Sequence, residues 1–99
     1  MEPEERVDWI EKKLREGLDA QRVEVVDEGH LHAGHAGAKS GRGHFRALIV
    51  ANRFDGLSRV ARQRLVFEVL AAEMQSEIHA LTMRTLTPAE AELSESAAG

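Results

Sequence analysis

His44–Ala51 reads HFRALIVA. Phe45, Ala47 and Ile49 alternate with His44, Arg46 and Leu48, the two-residue period of a strand with distinct faces. The run then turns apolar on both faces, which places it between neighbouring strands rather than at an edge. Upstream, Arg22–Asp27 (RVEVVD) is a second strand, with Val23 and Val25 on one face and Glu24 and Val26 on the other. Two strands joined by a loop form an antiparallel hairpin. The connection here, Asp27–His44 (DEGHLHAGHAGAKSGRGH), holds four of the five histidines and five of the eight glycines. Leu31 is its only large apolar side chain, so it cannot bury itself and is expected as a loop presented to solvent.

The flanks supply helices. Residues 3–16 carry Val7, Ile10 and Leu14 on one stripe, with Pro3 in the first turn, Trp9 on the flank and Gly17 as the terminating residue. Ser58 caps a second helix running to Met74 or Gln75. Its apolar positions are Val60, Leu65, Val66, Phe67, Val69, Leu70 and Met74, with Arg59, Arg62, Gln63 and Glu73 facing outward. His79–Leu86 alternates again as a third strand. Thr87–Glu90 is a capping box with Pro88 at the first helical position, opening a short last helix. The order α-β-β-α-β-α, with a right-handed crossover into the last strand, predicts an α+β fold. Its sheet is three-stranded and mixed, with helices mainly on one face, in the arrangement of a type II KH-like domain. One domain over residues 1–93 and a disordered tail over 94–99 are expected.

The chain has 42% hydrophobic and 30% charged residues, a composition for one globular core. No run approaches the ~20 apolar residues of a membrane span, and the acidic N-terminus shows no signal-peptide pattern; a cytoplasmic protein is expected. With no cysteine, disulfides and catalytic thiolates of its own are excluded. The net charge of −4 argues against a strong non-specific grip on nucleic acid. Arg53, Arg59, Arg62 and Arg64 form a local basic stretch, of which Arg59, Arg62 and Arg64 would contact DNA, lie as a solvated face paired with Glu68 and Asp55, or dock an acidic or glutathione-bearing partner surface. The RNA clamp G-x-x-G is missing at Gly56–Arg59. Neither a P-loop, a dinucleotide fingerprint nor a Ser-His-Asp arrangement is present, so no enzymatic activity is expected.

His30, His32 and His35 are spaced H-x-H-x-x-H, a pattern that alone binds metals without fixing a geometry. His44 opens a strand and reads as structural. His79 stands at the start of the third strand, where backbone bonding at a turn is the plain alternative to ligation. Asp27 and Glu28 would either orient an imidazole or only shape the turn.

The chain resembles the BolA family across Val7–Glu90. The resemblance rests on VEVVDEGHLHAGH, GHFRALIVANRFDG, ARQRLVFEVL and IHALTMRTLTPAE taken together. Where the family pattern has Arg-His-Arg, this chain has Arg62-Gln63-Arg64 and so lacks an imidazole at that point. The resemblance implies a partnership with a monothiol glutaredoxin carrying glutathione, and a shared [2Fe-2S] cluster. It maps a ligand onto His79 of I-H-A-L and, by register from Asp27-Glu28, a second onto His32, with His35 and His30 following. The alternative it implies is a DNA-binding transcriptional regulator that uses the second helix and its arginines. A chain without cysteine offers only nitrogen and oxygen ligands, so it could complete at most half of such a cluster and must borrow thiolates. Alone it is expected to be a monomer or weak homodimer.

Overall fold

The computed structural model describes residues 1–29 and 41–98. Its sheet has three strands in the order β1 (Arg22–Asp27), β2 (Gly43–Val50), β3 (Ile78–Leu86). β1 and β2 are antiparallel, with Val23 opposite Ile49 and Val25 opposite Ala47, whereas β2 and β3 are parallel. The doubly apolar strand is therefore central, and the sheet is mixed as expected. Helix α1 (Arg6–Leu18) follows a 3₁₀ turn at Pro3–Glu5. It lays Ile10, Leu14 and Leu18 on the sheet face that carries Val23, Val25, Phe45, Ala47 and Ile49. Helix α2 (Arg59–Val69) and a short α3 (Ala71–Ser76) make the crossover from β2 to β3. Val66, Leu70, Ala51, Phe54 and Ile78 complete that core. Helix α4 (Pro88–Ala98) is tied to the opposite face, where Arg84 donates to Ser94 Oγ (3.1 Å) and Arg22 to Glu95 (2.8 Å). Among the described residues no helix is long and apolar enough to cross a membrane.

The local signals hold at two helix starts. Ser58 Oγ accepts from the Ala61 N–H (3.1 Å). Thr87 and Glu90 exchange both bonds of the capping box, at 2.8 and 3.2 Å. Elsewhere the expectations need correcting. Gly17 lies inside α1, and the helix ends instead at Asp19, which takes the left-handed conformation (φ 50°). Glycine is needed at 17 for closeness: a Cβ there would stand 2.7 Å from Val69 Cγ1. The second helix is two helices, because the chain turns at Leu70 (φ −99°, ψ 19°) toward the buried start of β3. Helix α4 continues to Ala98, and Ser94 and Glu95 take part in the two bonds that tie it to the sheet.

The outward and inward faces of the crossover also differ from expectation. Val60 and Phe67 are 56% and 39% exposed, while Arg62 and Glu73 turn inward. Glu73 lies in α3, beyond the turn at Leu70, and is buried there. It survives burial because Trp9 Nε1 donates to it (2.9 Å) and Lys13 Nζ bonds it at 3.2 Å. Burial pushes the Glu73 carboxyl up, but the bonds from Trp9, the backbone and Lys13 outweigh it and hold it below the ordinary range. Arg62, four residues before Val66, threads inward. It donates to the carbonyls of Leu57 (3.0 Å) and Thr85 (3.1 Å) and to Glu90 (2.6 Å), with its guanidinium 5.9 Å from the Phe54 ring centre.

That lock makes stability depend on pH. The hydrogen bond from Arg62, then the Thr87 N–H, lowers the Glu90 carboxyl from 4.5 to about 2. A carboxyl with a depressed folded-state pKa binds its proton more readily when unfolded, so acid favours unfolding. The contribution is full above about pH 4.5 and is lost as pH falls toward about 2. Glu73 and Glu77 shift in the same direction. Urea unfolding of the native chain should therefore weaken across that window. Glu90→Gln should flatten the slope while lowering stability at neutral pH; an unchanged slope would remove Glu90 from the account.

Candidate functional site

The apolar positions Ile78 and Leu81 both face the core, yet they are three residues apart. Strict strand alternation would put them on opposite faces. The chain resolves the conflict with a step in register. Gly43 pairs with Ile78, but the next residue, His44, pairs with Ala80. His79 is the extra residue, and His79 and Ala80 are both exposed. Such bulges re-aim a side chain. Here the step brings the His79 ring to 5.0 Å from the His44 ring, centre to centre, with planes inclined at 52°.

The imidazole beside His79 is thus His44, the one that sequence reasoning set aside as a strand opener. The signal was present in I-H-A-L, where apolar residues three apart within a strand demand an irregularity. His44 Nε2 is buried, which makes His79 the solvent-facing member and His44 the residue behind it. The other candidate ligands, His30, His32 and His35, lie outside the described residues. Among the described residues no group of three or more His, Asp or Glu side chains gathers as a closed metal site.

The surroundings are ordered by backbone. The Glu28 N–H donates to the His44 carbonyl (2.8 Å), and the Glu28 carboxylate pairs with Arg46 (2.9 Å). Asp27 Oδ1 accepts from the Gly29 N–H (2.7 Å), the side-chain-to-backbone bond that starts a turn. These two carboxylates are thereby engaged in shaping the chain as it leaves β1. On the other side the Gly43 N–H donates to the Glu77 carbonyl (2.9 Å), fixing the start of the parallel pair just ahead of the step. The arginines expected as a DNA face divide. Arg59 and Arg64 are exposed on α2, whereas Arg62 is committed to the interior bonds described above.

Residues 14–90 match the family model described as BolA-like protein. The chain is 41% identical over 83 residues to the DNA-binding transcriptional regulator BolA of Vibrio cholerae, covering 84% of this chain and 76% of that one. It is 41% identical over 86 residues to SufE-like protein 1 of Arabidopsis thaliana, covering 82% of this chain but only 23% of that longer protein. Among solved structures, a bol-like protein from Babesia bovis superposes with a TM-score of 0.75 at 37% identity, covering 90% of this chain and 92% of that one.

Proposed function

The chain belongs to the BolA-like family, and from that premise we propose that it is a non-enzymatic adaptor sharing a [2Fe-2S] cluster with a monothiol glutaredoxin that carries glutathione. The observation that carries this reading is the register step, which holds His79 out to solvent beside His44 at the end of the sheet where the histidine-bearing connection returns. The donor chemistry fits half of such a group. Imidazole can replace thiolate on one iron, and a chain without cysteine leaves the other iron to a partner's sulfur. His79 is the ligand on the described side. His32 is proposed as its companion from the connection, ahead of His35 and His30. When bound, the cluster supplies one-electron chemistry. This chain's own part would be to present an imidazole nitrogen at a fixed place.

Mixing the protein with a monothiol glutaredoxin, glutathione and a source of iron and sulfide tests the reading by visible absorption and circular dichroism. The mixture should give a spectrum distinct from that of glutaredoxin alone. His79→Ala should abolish the difference without unfolding the exposed site, and His32→Ala should weaken it more than His35→Ala or His30→Ala. A spectrum indifferent to His79 rejects the proposal.

The DNA-binding reading draws on the name of the Vibrio relative and on exposed Arg59 and Arg64. It has lost Arg62, whose removal would act through stability. A salt-titrated binding assay with Arg64→Ala decides it: sequence-specific affinity that falls on substitution supports DNA recognition, and affinity without sequence preference opposes it.

A further inference from the structure

Arg6 lies before the span that matches the family model, yet it touches both segments that frame the imidazole pair. Its Nε donates to Glu77 Oε1 at 3.0 Å, and its Nη2 donates to the carbonyl of Gly41. Glu77 immediately precedes β3 and the step that carries His79. Gly41 is where the described chain resumes, two residues ahead of β2 and three ahead of His44. The Glu77 carbonyl is itself the acceptor for Gly43. Arg42 Nη1 closes the arrangement from the other direction by donating to the Met74 carbonyl in α3 (3.3 Å). The Arg6 side chain is 12% exposed and its bond to Glu77 is partly buried, while the bond to the Gly41 carbonyl lies at the surface.

We propose that Arg6 is a positioning residue for the candidate site: one guanidinium bridges the starts of β2 and β3 and thereby sets the spacing of His44 and His79. The planar fork suits the task, because it donates in two directions at once where an ammonium serves as a single point. The proposal deepens the cluster reading and rests on it for its purpose, though its geometry is measurable in the protein alone. Lys13, two turns further along α1, supplies the contrast. It also ties α1 to α3, through Glu73, but touches neither Gly41 nor Glu77.

The test uses nuclear Overhauser contacts between the His44 and His79 ring protons in the full chain, with thermal unfolding recorded beside them. The native chain should show the contact. Arg6→Gln should lose it, and Arg6→Lys, which keeps the charge and the fold, should weaken it. Lys13→Met should lower the unfolding temperature yet keep the contact. A contact that survives both Arg6 variants, or that Lys13→Met removes as readily, overturns the assignment. The cluster reading fails separately, through an unmodified chain that gives no shared-cluster spectrum with glutaredoxin.

Discussion

Phe54→Ala should cost about 3–5 kcal/mol, the range for deleting a buried aromatic ring. Phe54 ends the 3₁₀ turn Asn52–Phe54 between β2 and α2 and is fully buried. Its ring fills core volume and also forms the floor beneath the Arg62 guanidinium. Truncation would therefore leave a cavity and loosen the group that holds the Leu57 and Thr85 carbonyls. Domains of this size are stable by roughly 5–15 kcal/mol, so the loss is a large part of the whole. Phe54→Leu keeps most of the volume and should cost roughly half as much or less. Urea unfolding measures both, and an unchanged slope against denaturant would show that stability falls without a change in the surface exposed on unfolding. A cost below about 1 kcal/mol for the alanine variant would mean that the neighbouring chain collapses into the space.

Phe54 was invisible in the sequence for a physical reason: it sits in a turn, where neither the strand period nor the helix period reports burial. The strands were legible because Val23, Val25, Phe45, Ala47 and Ile49 alternate, and the caps because Ser58, Thr87 and Glu90 act on their own neighbours. The crossover helix was harder. Its apolar residues span more of its circumference than one sheet face can cover, so Val60 and Phe67 stay outside although they are as apolar as Val66. Arg62 and Glu73 hold inward positions because partners arrive from far along the chain, Thr85 and Glu90 for one, Trp9 and Lys13 for the other. No local pattern encodes that.

The candidate site shows the same division. The resemblance pointed to His79, and its I-H-A-L setting contained the register step in outline. His44 was discounted because a histidine opening a strand has an ordinary explanation, and nothing nearby in sequence announces a ring 35 residues away. In the sequence Arg6 is one charge near the start of an amphipathic helix. Its partners, Gly41 and Glu77, lie 35 and 71 residues along the chain.

Gly43→Ala should damage both the fold and the site, although it adds one methyl group and touches neither imidazole. Gly43 has no unusual backbone angle to protect; space is the constraint. A Cβ would stand 2.7 Å from Phe45 Cε2 and 2.8 Å from Cζ. Phe45 is buried in the core, so its ring can yield only by displacing other packed side chains. Overpacking of this kind costs about 1–3 kcal/mol. If the backbone yields instead, Gly43 shifts at the point where it bonds Glu77 and pairs with Ile78, one residue before His44. The His79-dependent cluster signal should then fall together with stability. The two causes separate in a double-mutant cycle, because Phe45→Leu removes the ring atoms that the new methyl would strike. Gly43→Ala combined with Phe45→Leu should cost less than the sum of the single changes by about 1 kcal/mol or more. It should also recover part of the cluster signal lost in Gly43→Ala alone. Strict additivity would show that the Phe45 ring is not what keeps residue 43 a glycine.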